Sequence, residues 1–319
     1  MRDMPRNTIL VGDAYETLTG LPAESVHCVI SSPPFFALRD YGVTGQIGLE
    51  GSVDQWVERL HSVMVELHRV LTPTGSLWLD FGDAYSRNVR SGAPSKSLYL
   101  SGERLALRMI GDGWILRNRI CWLKTNPMPQ AVTDRLSNTY DLVFHFVREN
   151  RYFYDVDSLR LPYGEGSLVG KDPGDSWRLP AANYRGPHHA TFPEQLVERP
   201  LLATCPLRVC SACNLPWKRE PAKIITVGKK VAPGNDQYVR RYRGSWRTLR
   251  RPGPLAAGCV CGAPTQPGLV LDPFFGTGTV GVAAERLGRD WCGIELSSTY
   301  ASLAYERLGR AGPEQAVAA

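Results

Sequence analysis

The chain has 319 residues, 43% hydrophobic and 21% charged, with a formal net charge of +6. That size suits one large α/β domain, or one domain carrying an insertion. No apolar run approaches the roughly 18 residues of a membrane span and Met1–Arg6 lacks the apolar core of a secretory signal, so a cytoplasmic protein with no membrane partner and reduced cysteines is expected.

In chain order, residues 8–13 (Thr-Ile-Leu-Val-Gly-Asp) predict a short strand ending in Gly-Asp, followed by a brief helix over Tyr15–Leu21. Ser25–Ser31 predicts a second strand, which delivers the turn Ser32-Pro33-Pro34-Phe35. Two prolines remove two N–H donors and fix φ twice, so the strand stops there in a rigid turn with free carbonyls. Residues 37–51 read as loop. Ser52 and Gln55 form a capping-box pattern, and Trp56, Val57, Leu60, Val63, Met64, Leu67 and Val70 recur with helical period, predicting an amphipathic helix over 53–71. Thr72-Pro73-Thr74-Gly75 is expected to end it before a strand at Leu77–Leu79 that closes on Asp80 and Asp83.

The Ser/Gly/Arg-rich segment 84–98 reads as a mobile loop, Glu103–Ile110 as a helix, and Ile115–Leu123 and Tyr140–Val147 as strands. Residues 155–187 dissolve into Gly, Pro and Asp and read as one long loop. A helix is expected over Pro193–Leu202. Regularity then lapses through 205–267 and returns as a strand (Leu269–Leu271), a Gly-rich turn (Asp272–Thr279) and a helix (Val280–Leu287). Trp291–Ile294 predicts a strand ending at Glu295, Ser297 or Ser298 caps a last helix over Tyr300–Leu308, and an Ala/Gly-rich tail follows. Alternating strand and helix signals predict an α/β sheet.

The basicity is local. Between Asn214 and Arg251 eleven Lys/Arg face two acids, a local charge of +9 that leaves −3 for the rest of the chain. Tyr238, Tyr242 and Trp246 are interleaved with these cations, a composition suited to nucleic acid, though a solvated loop has the same charge pattern. Lys229, Lys230, Arg240, Arg241, Arg243 and Arg247 are the candidate phosphate contacts. Cys210-x-x-Cys213 and Cys259-x-Cys261 bracket the stretch. Two close thiol pairs suit tetrahedral zinc, and a small loop-rich insert needs such a staple; four free thiols are the other reading. Cys205 is a substitute ligand, whereas Cys28, Cys121 and Cys292 lie on strands and are expected in the core.

Leu269–Thr279 has the order strand, Gly-rich turn, helix start, in which Gly276 and Gly278 let a ligand approach the backbone. Glu295 follows Asp272 by 23 residues, the spacing of a ribose-binding acid in dinucleotide folds. A dehydrogenase is therefore the rival reading, but the turn lacks Gly-x-Gly-x-x-Gly. Its Asp272-Pro273 would repel a pyrophosphate and suits a cationic ligand carrying an amino acid and a nucleoside, such as S-adenosylmethionine (SAM).

With both turns in hand, the chain resembles the β-group amino methyltransferases of DNA, in which the catalytic motif precedes the SAM motif. Ser32-Pro33-Pro34-Phe35 resembles that family's catalytic motif, and Asp272-Pro273-Phe274-Phe275-Gly276-Thr277-Gly278-Thr279 its SAM motif. His189-Ala190-Thr191-Phe192-Pro193-Glu194 resembles the segment packed on the methionine end of SAM. Gly12-Asp13, Gly48-Leu49-Glu50, and Trp122 with Lys124, Asn126 and Pro127 also fall in family order. The resemblance covers roughly 7–204 and 268–309.

It implies a Rossmann-like SAM-dependent methyltransferase sheet, circularly ordered with a catalytic half over 1–204 first and a SAM half over 268–309; the Cys-rich basic insert over 205–267 and a flexible tail over 310–319 stand outside the resemblance. It implies methyl transfer to an exocyclic amine of a base swung out of double-stranded DNA. Ser32 and the Pro33 carbonyl would then accept from the amine while Phe35 stacks on the base. Asp13 and Glu295 would hold the adenosine end, and the turn from Asp272 to Thr279, with His189, Thr191, Phe192 and Pro193, the methionine end. Serine at the first motif position goes more often with cytosine N4 and aspartate with adenine N6, so N4-cytosine is expected and N6-adenine is the alternative. A non-catalytic SAM- and DNA-binding protein is the reading from another class. C5 methylation is unexpected, because no Pro-Cys dipeptide supplies the thiolate. A separate restriction endonuclease and a second copy of the chain are the expected protein partners. Target recognition is expected from 84–98 with 155–187, or from residues 214–258 of the insert.

Overall fold

The computed structural model describes residues 3–160, 172–182, 192–221, 253–310 and, for the backbone alone, 223–227 and 247–251. In chain order the first half comprises β1 (Thr8–Val11), α1 (Ala14–Thr19), β2 (Val26–Ser31), α2 (Val53–Val70), β3 (Leu71–Phe81), α3 (Ser101–Gly111), β4 (Ile115–Lys124), β5 (Tyr140–Val147), α4 (Val156–Leu159), β6 (Ser176–Leu179) and α5 (Glu194–Thr204). The insert contributes short strands β7 (Val209–Cys210), β8 (Lys218–Arg219), β9 (Lys223–Val227), β10 (Arg247–Arg251), β11 (Leu255–Ala256) and β12 (Thr265–Gln266). β13 (Leu269–Asp272), α6 (Thr279–Arg286), β14 (Asp290–Glu295) and α7 (Ser298–Arg307) complete the chain.

Eight strands form one sheet in the order β1-β14-β13-β2-β3-β5-β4-β6. Only β5 runs against its neighbours. The two motif-bearing strands are adjacent and parallel, with Val270 beside Cys28 and Leu271 beside Val29. Residues some 240 apart therefore end side by side, where the catalytic half meets the SAM half. Every residue of β2 is buried, as a central parallel strand covered on both faces requires.

Helices cover both faces, each over its own apolar cluster. α2 buries Val53, Trp56, Val57, Leu60, Val63, Met64, Leu67 and Val70, one stripe at i, i+3, i+4 spacing. Ser52 caps it by accepting from the Gln55 N–H. Each of these large side chains contributes about 1.5–3 kcal/mol of burial, so α2 is the main clamp on that face.

Four sequence expectations change. Thr72–Gly75 belongs to β3 rather than to a loop: the register shifts between Val26 and Cys28, so Pro73 sits in a bulge where its missing N–H leaves no gap in the ladder. Residues 155–187 are not one loop, because α4 forms and β6 adds a parallel edge strand beside β4. Segment 84–98 closes on itself: Tyr85 bridges Leu98, and the Ser86 and Lys96 amides donate to Ser97 and Ser86. Arg135 lies 3.9 Å over the Tyr85 ring and Lys96 pairs with Asp134 at 2.7 Å, tying the segment to residues 126–138. Cys121 is half-buried next to the edge strand, whereas Cys28 and Cys292 are core residues as expected.

Candidate functional site

The C-terminal ends of β1, β2, β3, β13 and β14 open into one cavity of about 710 Å³. That volume lies within the range of roughly 300–1,000 Å³ typical of small-molecule sites, at the switch point where α/β sheets bind ligands.

Ser32, Pro33, Pro34 and Phe35 all line it. The Trp56 indole N–H of α2 donates to the Pro34 carbonyl at 2.9 Å, so the helix that covers the core also pins the turn. Ser32 Oγ donates to Asp80 Oδ2 at 3.2 Å. Phe35 packs at a tilt against Phe81, ring centroids 6.1 Å apart. Gly82 is what makes room for that ring: a Cβ there would lie 3.0 Å from Phe35 Cε2 and 3.1 Å from Asp141 Oδ1.

Asp80 is buried, and among the described residues its Oδ1 has no hydrogen-bond partner. Burial holds its carboxyl well above the usual range and the neighbouring Asp141 adds to this, while Lys124 and the Ser32 hydroxyl oppose it. Lys124 pairs with Asp141 at 2.6 Å and stands 5.1 Å over the Trp122 ring. Neither Asp80 nor Asp141 stands out in the sequence as a site residue. The available signal is an apolar run, Leu77-Trp78-Leu79, that ends in a carboxylate followed closely by Gly82.

On the SAM side, Asp13, Phe192, Pro273, Phe274, Gly276, Thr279 and Glu295 line the same cavity. Asp13 caps α1 through Oδ1, accepting from the Tyr15 and Glu16 amides at 2.8 and 3.1 Å. Glu295 accepts from Gly276 N–H at 2.7 Å and Ser297 N–H at 2.8 Å. Burial raises its pKa, and these amides partly offset the rise. Gly276, at φ +52°, is left-handed, which lets the turn aim its N–H back at Glu295. Below the turn Phe275 stacks on Trp291 at 5.1 Å, in space that exists because residue 293 is glycine; a Cβ there would sit 2.3 Å from the ring.

Three residues expected at the ligand lie off the cavity wall. Asp272 is buried and turned into the sheet, accepting from Ser31 Oγ at 2.6 Å and Phe274 N–H at 3.0 Å. Burial pushes its carboxyl up to about 7 against the pull of those two bonds, with Glu295 adding to the rise. Gly278, left-handed at φ +80°, starts α6, and Pro193 starts α5. His189 and Thr191 lie outside the described residues.

The insert is rooted at the other edge of the sheet, on the N-terminal ends of the strands. Gly268 N–H donates to the Pro206 carbonyl, and Asn214 donates to the Glu24 carbonyl at 3.3 Å. Arg219 pairs with Asp155 at 2.8 Å. Cys210, Cys213, Cys259 and Cys261 are brought together, all four sulfurs within 4.8 Å of one another, and no other such group occurs among the described residues. Cys205 is buried at the end of α5, away from the cluster. Of the expected phosphate contacts, Arg247 opens β10, while Lys229, Lys230, Arg240, Arg241 and Arg243 lie outside the described residues.

A switch-point cavity with carboxylates and a Ser-Pro-Pro-Phe turn on its wall is the arrangement expected of a SAM-dependent methyltransferase, and similarity to known proteins gives the same class. The DNA methylase family of N6 and N4 methyltransferases matches residues 26–207 and 250–306. Across 95% of its length the chain is 32% identical to the Type II methyltransferase M.XycI of Xanthomonas campestris pv. cyanopsidis, of which it covers 87%. It is 31% identical to M.Cfr9I of Citrobacter freundii over 94% of this chain and 87% of that one. The fold is shared with the cytosine-N4-specific PvuII DNA methyltransferase, with a TM-score of 0.61 at 21% identity over 95% of this chain and 86% of that one. A DNA modification methylase of Thermus thermophilus solved with SAM gives a TM-score of 0.56 at 25% identity over 96% of this chain and 94% of that one. The chain belongs to the N6/N4 DNA methylase family and is a SAM-dependent DNA methyltransferase. No described helix is long and apolar enough to cross a membrane.

Proposed function

We propose that the chain is a Type II modification enzyme that methylates the N4 amine of a cytosine swung out of duplex DNA. The observation that carries this reading is the Ser32–Asp80 hydrogen bond at the cavity wall. By donating to Asp80, the Ser32 hydroxyl keeps its lone pairs for an incoming N–H. Trp56 occupies the Pro34 carbonyl, which leaves the Pro33 carbonyl as the second acceptor. Two acceptors on a rigid turn grip both amine hydrogens and aim the nitrogen lone pair at the methyl donor, so much of the rate gain is alignment. SAM, when bound, supplies the activated methyl group.

After transfer the nitrogen sheds a proton. Ser32 is placed to pass its own hydroxyl proton to Asp80 Oδ2 as it takes the one from the amine, an uptake that requires the Asp80 carboxyl to be ionised and that its raised proton affinity favours. Phe35 offers its face to the base. Asp13 and Glu295 are the groups for the adenosine hydroxyls, and the Gly276–Thr279 backbone faces the methionine end.

Serine at position 32 favours cytosine over adenine, as it does in the family resembled. Recognition of the site sequence falls to 84–98 with 126–138, because Met128, Gln130 and Asn138 of the latter line the cavity. The names of the relatives place them as Type II methyltransferases, which argues for a cognate endonuclease on a separate chain. Digestion of in vitro methylated DNA to nucleosides, with mass spectrometry, tests the base: N4-methyl-2′-deoxycytidine is expected, and N6-methyl-2′-deoxyadenosine alone would overturn the cytosine reading.

A further inference from the structure

The four insert cysteines stand apart from the methyl-transfer chemistry. Their sulfurs lie within 4.8 Å of one another although they come from two segments 46 or more residues apart. Four thiolates on a zinc ion at about 2.3 Å would place their sulfurs about 3.8 Å apart, a spacing the side chains reach by small rotations. No disulfide joins any of them.

Each pair sits on a turn shaped to point both thiols inward. Cys210 ends β7, which pairs with β12, and the chain doubles back so that Asn214 N–H donates to the Cys210 carbonyl at 2.9 Å. Asn214 follows Cys213 in the left-handed region at φ +60°, and Gly262 follows Cys261 at φ +65°. Cys259 and Cys261 alternate with Val260, whose side chain is fully exposed, so the two sulfurs share the other side of the backbone. The described insert has little apolar burial of its own: among its hydrophobic residues only Cys205, Val209 and Cys210 are core residues, and its strands β7, β8, β11 and β12 have two residues each. Such a unit does not hold its shape without a cross-link.

The position excludes a catalytic part. Asn214, next to Cys213, accepts from His27 Nε2 at 3.4 Å, and His27 Nδ1 accepts from Leu269 N–H at 3.1 Å. These contacts join the cysteine turn to the N-terminal ends of β2 and β13, whereas the cavity opens at their C-terminal ends.

We propose that Cys210, Cys213, Cys259 and Cys261 hold one structural zinc ion that shapes the insert and seats it on the sheet edge opposite the cavity. Full-length protein purified without chelator should carry about one zinc per chain, measured by plasma mass spectrometry, with all thiols reduced. Replacing the metal by cobalt should give the intense visible spectrum of a tetrahedral tetrathiolate site. Cys259→Ser should lower zinc content and speed proteolysis within the insert while SAM affinity stays within about twofold, because distant sites act independently. Cys292→Ser should keep the metal. Absence of zinc after reconstitution, an octahedral cobalt spectrum, or disulfides between these cysteines would overturn the proposal. So would a zinc-loaded Cys259→Ser variant. Should that variant fail to fold, the cobalt spectrum of the unaltered protein decides. None of these readouts depends on which base is methylated.

Discussion

The two edges of the central sheet bury different polar groups. At the C-terminal edge polar groups are left under-satisfied: Asp80 keeps an unpartnered oxygen, and Asp80, Asp272 and Glu295 all have raised pKa values because burial is incompletely compensated. At the N-terminal edge the polar groups at the insert junction are closed into hydrogen bonds. His27 takes the Leu269 amide on one nitrogen and reaches the Asn214 carbonyl with the other, and the insert covers the strand ends. Burial costs stability at both edges: near the N-terminal ends Thr72 Oγ1 and Arg148 Nε are unpartnered among the described residues, and burial lowers the His27 pKa to about 4. What sets the cavity edge apart is that its buried groups are carboxylates beside the ligand space. Substitutions at the two edges should therefore separate activity from stability.

The largest effect belongs to the cavity edge. Ser32→Ala and Asp80→Asn should each slow single-turnover methyl transfer by about 100-fold or more, the scale of a lost proton-transfer partner, with SAM affinity little changed and no loss of melting temperature. Loss of SAM binding in step with activity would break the distinction, because it would make the pair a scaffold. Next in size is Gly293→Ala. Its Cβ would meet the Phe275 ring at 2.3 Å, and overpacking of that kind costs about 1–3 kcal/mol, read from urea midpoints. SAM binding should weaken with it, since Phe275 carries the turn. His27→Ala tests the far edge: a stranded Leu269 amide costs about 1–3 kcal/mol, while methyl transfer at a permissive temperature should hold. A stable but inactive His27→Ala protein would erase the contrast between the edges.

Much of the cavity edge was legible in the sequence because its parts are local. A Pro-Pro pair stops a strand wherever it occurs, and a Gly-rich turn before a helix has the same use in any α/β sheet. Ser32–Phe35 and most of the turn from Asp272 onward accordingly meet where the motifs predict. What escaped depends on contacts far apart in the chain. Asp80 is an ordinary strand-end acid until burial and Asp141 act on it, and β6 is a four-residue strand amid Gly, Pro and Asp that only the edge of β4 makes a strand. Asp272 misled for the same reason: its neighbours in sequence suggested a ligand, and its neighbour in space is Ser31.

That last residue gives the smallest effect, and it bears on how the two halves are joined. Ser31 and Asp272 precede the catalytic turn and the SAM turn, and their 2.6 Å hydrogen bond ties the two motifs across 241 residues of sequence. The carboxyl titrates at about 7 in the fold against 3.8 ordinarily, so between those values the folded protein binds more protons than the unfolded chain. Stability from this group is complete below about 3.8 and is lost as pH rises through about 7, the reverse of a salt-bridged aspartate. Asp272→Asn, neutral at every pH, should flatten the fall in urea midpoint over that window while other groups keep their own dependence. A variant with the slope of the unaltered protein would mean that the carboxylate is charged and satisfied at neutral pH. The raised carboxyls of the cavity edge would then be Asp80 and Glu295 alone.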